Sequence, residues 1–184
     1  LDASIYLSPL TKRSLQTELQ AYSKSNNFAG PALSLIYNER NLFSGGVIFR
    51  ATGTISYEWQ VASGNEDTGL TSTQAGLQGD LIFPRVLFPI QLGDIFKYAV
   101  PKTKISAGWD YYNRSQLYNL ISYTTTFGYQ WNENKYVYHE LNPISISYVN
   151  PSNITPEFEQ ILEDNPYLRS SFEQQFIAGL TYTF

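Results

Sequence analysis

The chain has 184 residues, a formal net charge of −4, one histidine and no cysteine. The acidic balance offers nothing to nucleic acid, and the lack of cysteine excludes disulfide scaffolds, thiol catalysis and cysteine-based zinc sites. Aromatic residues make up 16% of the chain, including 15 Tyr and 3 Trp, and this enrichment is typical of proteins that lie at a membrane–water interface.

An alternation of apolar and polar residues with a period of two predicts eight β-strands. In chain order, these strands cover residues 14–25, 31–38, 47–60, 74–83, 102–112, 116–131, 136–148 and 171–184. A ninth alternating segment, residues 2–8, precedes them. The predicted fold class is therefore all-β.

The longest predicted loop, residues 149–170, contains the one helical signal of the chain. Thr155 can cap a helix, Pro156 suits its first position, and Asn165 with the proline after it is expected to end it. In the seventh predicted strand, the phase of the apolar residues changes at Pro143. We therefore expect a β-bulge at this proline.

Two features favour an antiparallel transmembrane β-barrel over a soluble β-sandwich, which stays open as the alternative. The strands at 47–60 and 116–131 exceed the usual five or six residues of globular strands and suit a tilted path across about 25 Å of apolar bilayer. Their odd-numbered faces, which include Phe127, are apolar and are expected to meet lipid. These faces end in aromatic pairs that suit an interfacial girdle, namely Tyr57 with Trp59 and Tyr129 with Trp131.

The most specific stretch is IYNERNLFSGG, residues 36–46, which joins two predicted strands. It resembles the first periplasmic turn of the BamA/TamA family of outer-membrane insertases, also called bacterial surface antigens. Residues 1–26 resemble the family's junction between its last POTRA domain and its first barrel strand. DLIFPRVLFPI at 80–90 resembles the turn after the fourth strand, and QQFIAGLTYTF at 174–184 resembles a mid-barrel strand of the Bacteroidota branch.

The resemblance implies that residues 14–184 form the N-terminal half of a sixteen-stranded barrel and that residues 1–10 end a preceding periplasmic POTRA domain. We then expect the first strand to pair only with the second and the last strand only with the seventh. The implied lateral-gate strand comprises Ser14, Leu15, Gln16, Thr17, Glu18, Leu19, Gln20, Ala21 and Tyr22. The implied periplasmic turn motif comprises Arg40, Asn41, Leu42, Phe43, Gly45 and Gly46. The Val-Arg-Gly-Phe motif, which in the family lies in the other half of the barrel, does not occur here.

The function implied by the resemblance is the insertion and folding of other outer-membrane proteins in a Gram-negative outer membrane, without covalent chemistry, cofactor or metal. The expected partners are outer-membrane lipid, unfolded outer-membrane protein clients, accessory lipoproteins, and either the remaining half of the barrel or another chain at the 171–184 edge. No nucleic acid is expected. The alternatives are a stand-alone eight-stranded outer-membrane barrel with a structural or adhesive role, and a lipid-modifying barrel enzyme.

Few residues could carry chemistry. His139 lies near Glu140, Ser145 and Ser147 in sequence, but strand parity directs it away from Glu140, which argues against a catalytic dyad and against a hydrolase. The acidic residues of the predicted helix lack the spacing of a calcium loop and are expected to be solvated: Glu157, Glu159, Glu163 and Asp164. Five charged residues are expected to face the barrel interior: Arg50, Glu58, Asp80, Lys104 and Glu173.

Overall fold

A computed structural model describes residues 11–25, 27–61, 69–87 and 101–184. Within these residues, eight antiparallel strands form one sheet in chain order, so every strand pairs with its neighbours in sequence. The strands are β1 (Arg13–Ser23), β2 (Phe28–Leu42), β3 (Val47–Gln60), β4 (Thr71–Phe83), β5 (Lys102–Arg114), β6 (Tyr118–Asn132), β7 (Tyr138–Ser152) and β8 (Gln175–Thr183). The predicted all-β, antiparallel class is confirmed, whereas the segment assigned to a POTRA domain, residues 1–10, lies outside the described residues.

The sheet is open, and β1 and β8 form its two edges. Within the described residues, β1 pairs with β2 alone and β8 pairs with β7 alone. The expectation of one neighbour for each of these strands is confirmed. Each edge therefore presents a row of backbone N–H and C=O groups to which no described strand is paired. We call the end of the sheet that carries the β2–β3 and β6–β7 turns the turn side, and the opposite end the loop side.

The second strand is longer than the alternation predicts. β2 extends from Phe28 to Leu42 instead of covering 31–38, because it is paired with β1 on one side and with β3 on the other. These two ladders carry the strand through Asn38 and Glu39, where no apolar alternation remains. Of the predicted turn motif, Arg40, Asn41 and Leu42 consequently belong to β2, and the turn itself covers residues 43–46.

The connection from β7 to β8 contains two helices, α1 (Pro156–Asp164) and α2 (Pro166–Ser171). The predicted cap of α1 is confirmed, since the Thr155 hydroxyl accepts a hydrogen bond from the Phe158 amide at 3.4 Å. Helix α2 was not predicted, because a proline that can end one helix can also begin the next. Neither helix is long and apolar enough to cross a membrane.

The start of the last strand was predicted too early. β8 begins at Gln175 rather than at residue 171, because α2 occupies the preceding segment. Glu173 consequently lies between α2 and β8, so its predicted place on the face of the last strand is wrong. An aromatic cluster anchors the helices to the start of β6: the ring of Tyr118 lies 5.3 Å from that of Phe158 and 4.7 Å from that of Phe172.

The bulge predicted at Pro143 is confirmed. The β6–β7 register shifts between Phe127 and Tyr129, and the β7–β8 register shifts between Asn142 and Ser145. Proline has no N–H to give to a ladder, so an interruption at this position is expected. Because of this shift, the odd-numbered residues of β7 before the bulge and the even-numbered residues after it lie on the same face of the sheet.

We expect Thr155→Ala to lower the stability of the α1 segment by about 1 kcal/mol, the usual effect of removing a helix cap. Thr155 also joins the loop to the β5–β6 turn, since its hydroxyl donates to the Gln116 carbonyl at 2.9 Å. Hydrogen exchange of the α1 amides measures the effect, and Thr155→Ser, which keeps the hydroxyl, is the matched control. Equal exchange in all three proteins would contradict the assignment.

Candidate functional site

The register divides the sheet into an apolar face and a polar face. Paired residues of antiparallel strands point to the same side, so the odd-numbered residues of β1 to β6 share one face. Beyond the bulge in β7, the even-numbered residues continue this face into β8. We call it the apolar face, and representative members are Leu15, Leu35, Ile55, Leu77, Trp109, Tyr123, Ile144 and Leu180.

Most of the apolar face is not covered by a second layer of the described residues. The exception is the turn side, where the segment after β4 lies over Thr103 and Tyr129: the Tyr129 hydroxyl donates to the Leu87 carbonyl at 3.1 Å, and the Thr103 hydroxyl donates to the Arg85 carbonyl at 2.8 Å. Leu19 is 79% exposed, Leu77 in the middle of the sheet is 60% exposed, and Leu180 near the other edge is 65% exposed. The described part of the chain has few buried hydrophobic residues: Phe28, Val47, Tyr129, Phe158 and Leu162. An apolar face that spans eight strands is too large for an ordinary water-exposed surface and requires a covering of lipid or protein.

Two rows of aromatic side chains cross the apolar face obliquely. The registers of the three strand pairs from β3 to β6 place Tyr57 of β3 at the same level as Asn119 of β6. Tyr123 lies four residues after Asn119 in β6. Tyr37 in β2 and Tyr129 in β6 show the same offset of four residues over four strand pairs. Successive residues are about 3.3 Å apart along a strand, and neighbouring strands are about 4.8 Å apart. An offset of four residues over three or four strand spacings therefore means that the strands lie at about 35–45° to a line drawn perpendicular to the rows.

The polar face carries paired charges along its middle strands. Arg50 and Asp80 are partners in the β3–β4 register, and the guanidinium of Arg50 donates to the Asn38 side chain at 2.9 Å. Asp80 is buried, accepts a hydrogen bond from the Ser106 hydroxyl at 2.6 Å, and lies 3.9 Å from the Lys104 ammonium. These groups were predicted to share a face, and the register brings them together.

A second carboxylate, Glu58, is buried on the polar face at the loop side of the sheet. The Tyr22 hydroxyl donates to it at 2.7 Å, and the Lys24 ammonium donates to the same carboxylate oxygen at 2.5 Å. The hydrogen bond to Glu58 raises the pKa of Lys24, so the ammonium stays charged at neutral pH. Glu58 therefore connects β3 to the loop-side end of the edge strand β1, with β2 between them.

A third carboxylate, Glu39, is buried at the turn side, on the same face as the apolar residues. Arg13 donates to it at 3.1 Å, the Tyr37 hydroxyl donates at 2.7 Å, and the Lys12 ammonium lies 3.5 Å away. Sequence reasoning missed this cluster because the second strand was ended at residue 38. A signal was present, since Glu39 continues the odd-numbered series of β2.

The predicted gate strand coincides with the edge strand of the sheet. All residues from Ser14 to Tyr22 lie within β1, whereas Lys24 and Ser25 follow its end. In the middle of β1, Gln16 and Gln20 donate to Glu18 of the same strand, at 2.7 and 3.4 Å.

The turn motif forms a compact, conformationally restricted connection between β2 and β3. The Asn41 side chain accepts a hydrogen bond from the Gly46 amide at 2.9 Å. Asn41, Phe43 and Ser44 all have a positive φ, which is uncommon for residues other than glycine. Arg40 ties the turn to the segment before β1, since its guanidinium donates to the Thr11 carbonyl at 2.9 Å.

His139 does not meet the serines near it in sequence. Ser145 pairs with Thr126 on the polar face, whereas His139 pairs with Trp131 on the opposite face. The imidazole stacks on the Trp131 ring at 5.0 Å and hydrogen-bonds the Tyr182 hydroxyl and the Glu133 carboxylate, at 2.8 and 3.2 Å. This environment is an aromatic contact between β6, β7 and β8 at the turn side, and neither Ser145 nor Ser147 belongs to it.

The described part of the chain contains no group of three His, Asp or Glu side chains placed to hold a metal ion, and the acidic residues of α1 do not converge. The chain matches no protein-family model, and comparison with the curated proteins and with the solved structures found no match.

Proposed function

We propose that this chain forms part of the wall of an outer-membrane β-barrel of the BamA/TamA type and takes part in the insertion of other outer-membrane proteins. The observation that carries the proposal is the open sheet, which combines a largely uncovered apolar face with two edges to which no described strand is paired. Lipid is the covering that suits the face, and a polypeptide strand is the partner that suits the edges.

Three properties of the sheet support a place in the membrane. The strands β1 to β7 have 11 to 15 residues, and about 9 to 11 tilted residues cross a bilayer core. The strand tilt of about 35–45° given by the aromatic rows is the tilt of transmembrane barrels. The charges on the middle strands lie on the polar face, where a barrel interior would keep them away from lipid.

The edge strand β1 supports the role in insertion. An edge strand can pair with an incoming extended segment by β-augmentation, in which backbone hydrogen bonds supply the affinity. The turn motif that begins at Arg40 carries the sequence resemblance to the insertase family, and it lies directly beside the start of β1. At the other edge, β8 is proposed to pair with the remainder of the barrel wall or with another chain, because unpaired backbone groups cannot persist in hydrocarbon.

The stand-alone closed barrel is the weaker candidate. Eight strands can close on themselves only when the first pairs with the last. The described strands β1 and β8 are not neighbours in the sheet.

The proposal is tested with the chain reconstituted in phosphatidylethanolamine–phosphatidylglycerol vesicles. A urea-unfolded eight-stranded outer-membrane protein is added as client, and its folding is followed by the heat-sensitive shift on denaturing gels. We expect faster client folding than in empty vesicles, and a disulfide between Leu19→Cys and a cysteine in the terminal strand of the client. Because the chain has no native cysteine, such a crosslink is unambiguous.

A matched variant, Leu77→Cys, places the thiol on the apolar face of an interior strand with neighbours on both sides. It is expected to give no crosslink. If the inserted chain leaves the folding rate unchanged and Leu19→Cys gives no crosslink, the proposed function is wrong.

A further inference from the structure

We propose that Glu39 and Glu58 act as a two-point clamp that fixes the register of β1 at its ends and leaves its middle free to receive an incoming strand. The proposal rests on the proposed function of the β1 edge. It assigns to two buried carboxylates a positioning role that the strand pattern alone does not indicate.

The two carboxylates of the clamp lie on β2 and β3 and contact the two opposite ends of β1. At the turn side, Glu39 of β2 binds Arg13 at 3.1 Å and Lys12 at 3.5 Å. At the loop side, Glu58 of β3 binds Tyr22 at 2.7 Å and Lys24 at 2.5 Å, reaching past β2 to do so. Both carboxylates are buried although β1 itself is an exposed edge.

Gly30 allows the loop-side contact. It is the register partner of Tyr22, so β2 places no side chain between Tyr22 and Glu58. A Cβ at this position would lie 1.9 Å from the Tyr57 carbonyl oxygen and 2.9 Å from the Glu58 Cα. The absence of a side chain lets Glu58 reach β1 across the intervening strand.

The clamp opposes any slip of β1 against β2. A slip of two residues keeps the apolar and polar faces unchanged, so burial of apolar surface alone does not prevent it. It would, however, move Arg13 and Tyr22 by about 6.6 Å, twice the rise per residue, and would separate both from their carboxylates. The slip would break the ion pair between Arg13 and Glu39 and the hydrogen bond between Tyr22 and Glu58 together, so the two ends together select one register.

The middle of β1 lacks such anchors and determines which strand fits beside it. Leu15 and Leu19 on the apolar face are 70% and 79% exposed. On the polar face, Glu18 is the one charged side chain of the middle segment and is hydrogen-bonded only within β1 among the described residues. The chemistry fits an extended segment with apolar residues on alternate positions and with amide or basic side chains facing Glu18.

The test measures register directly, by disulfide formation between β1 and β2 in the full chain. Thr17 and Leu35 are register partners, so Thr17→Cys with Leu35→Cys reports the observed register. Thr17→Cys with Tyr37→Cys, or with Leu33→Cys, reports a slip of two residues in either direction. In an otherwise unchanged chain, we expect the first pair to oxidise at least tenfold faster than the other two.

The variants E39Q and E58Q remove charge with little change of shape. In the double variant, we expect the tenfold preference for the observed register to be lost. Each single variant should raise hydrogen exchange about tenfold at its own end of β1 only, which keeps the proposal testable if the double variant fails to fold. E18Q, in the middle of the same strand, is the matched control and should change neither measurement.

Retention of the register preference in the double variant, or exchange unaltered at both ends in the single variants, would overturn the clamp. These measurements need no client protein. The clamp can therefore fail while client insertion is observed, and it can hold while the insertion assay fails, so the two proposals are judged separately.

Discussion

Phe127→Arg is expected to lower the free energy of unfolding of the membrane-inserted chain by about 2 to 4 kcal/mol, the cost of an arginine near the bilayer midplane. Phe127 lies on the apolar face, level with Ile105 in β5 and Ile144 in β7. Along β6 it lies between Tyr123 and Tyr129, the members of the two aromatic rows in this strand. A guanidinium at this position would replace an aromatic ring by a group that requires water.

The matched control is Thr126→Arg, one residue earlier in β6. Thr126 pairs with Ser106 and Ser145 on the polar face, where the new charge would lie near other polar groups. Urea titration in vesicles, followed by tryptophan fluorescence, compares the two variants. A cost at Thr126 equal to that at Phe127 would mean that the apolar face does not meet lipid.

Gly30→Ala is expected to destabilise the sheet by about 3 kcal/mol, at the upper end of the usual effect of overpacking. The added Cβ would lie 1.9 Å from the backbone oxygen of Tyr57, which cannot move away as the end of a flexible side chain can. The β2–β3 ladder pairs Ala29 with Trp59 and resumes at Ala32 with Ser56, so Gly30 lies in an interruption of the ladder.

Gly53→Ala provides the control for the effect of losing a glycine. Gly53 lies in β3 on the apolar face, and a Cβ there would have no heavy atom within 4 Å. Its replacement is expected to be neutral or to stabilise by up to about 1 kcal/mol, because alanine restricts the unfolded chain. Unfolding of both variants by denaturant gives the comparison. Equal stability of the two would contradict the close approach at Gly30.

Local rules were sufficient for several elements. β3 begins at Val47 and ends at Gln60 as predicted, because its alternation is uninterrupted over its whole length. The cap at Thr155 and the bulge at Pro143 were also foreseen, since each depends on one residue whose chemistry restricts the backbone around it. By contrast, Glu39 was left outside its strand, because its charge interrupts the apolar alternation that set the predicted end, although its position continues the odd-numbered series of β2.

The sequence by itself determined the class of the fold and the alternation that gives each strand one apolar and one polar side. It also determined the resemblance carried by the turn at 36–46. All three depend on the order of neighbouring residues. Only the tertiary structure decided which residues lie level across the sheet, that β1 and β8 remain at open edges, and that Glu39 and Glu58 reach the two ends of β1. These properties depend on the register between strands and on contacts between residues far apart in the chain, such as those from Arg13 to Glu39 and from Tyr22 to Glu58. A strand pattern with a period of two is unchanged by a slip of two residues, so it cannot contain that information.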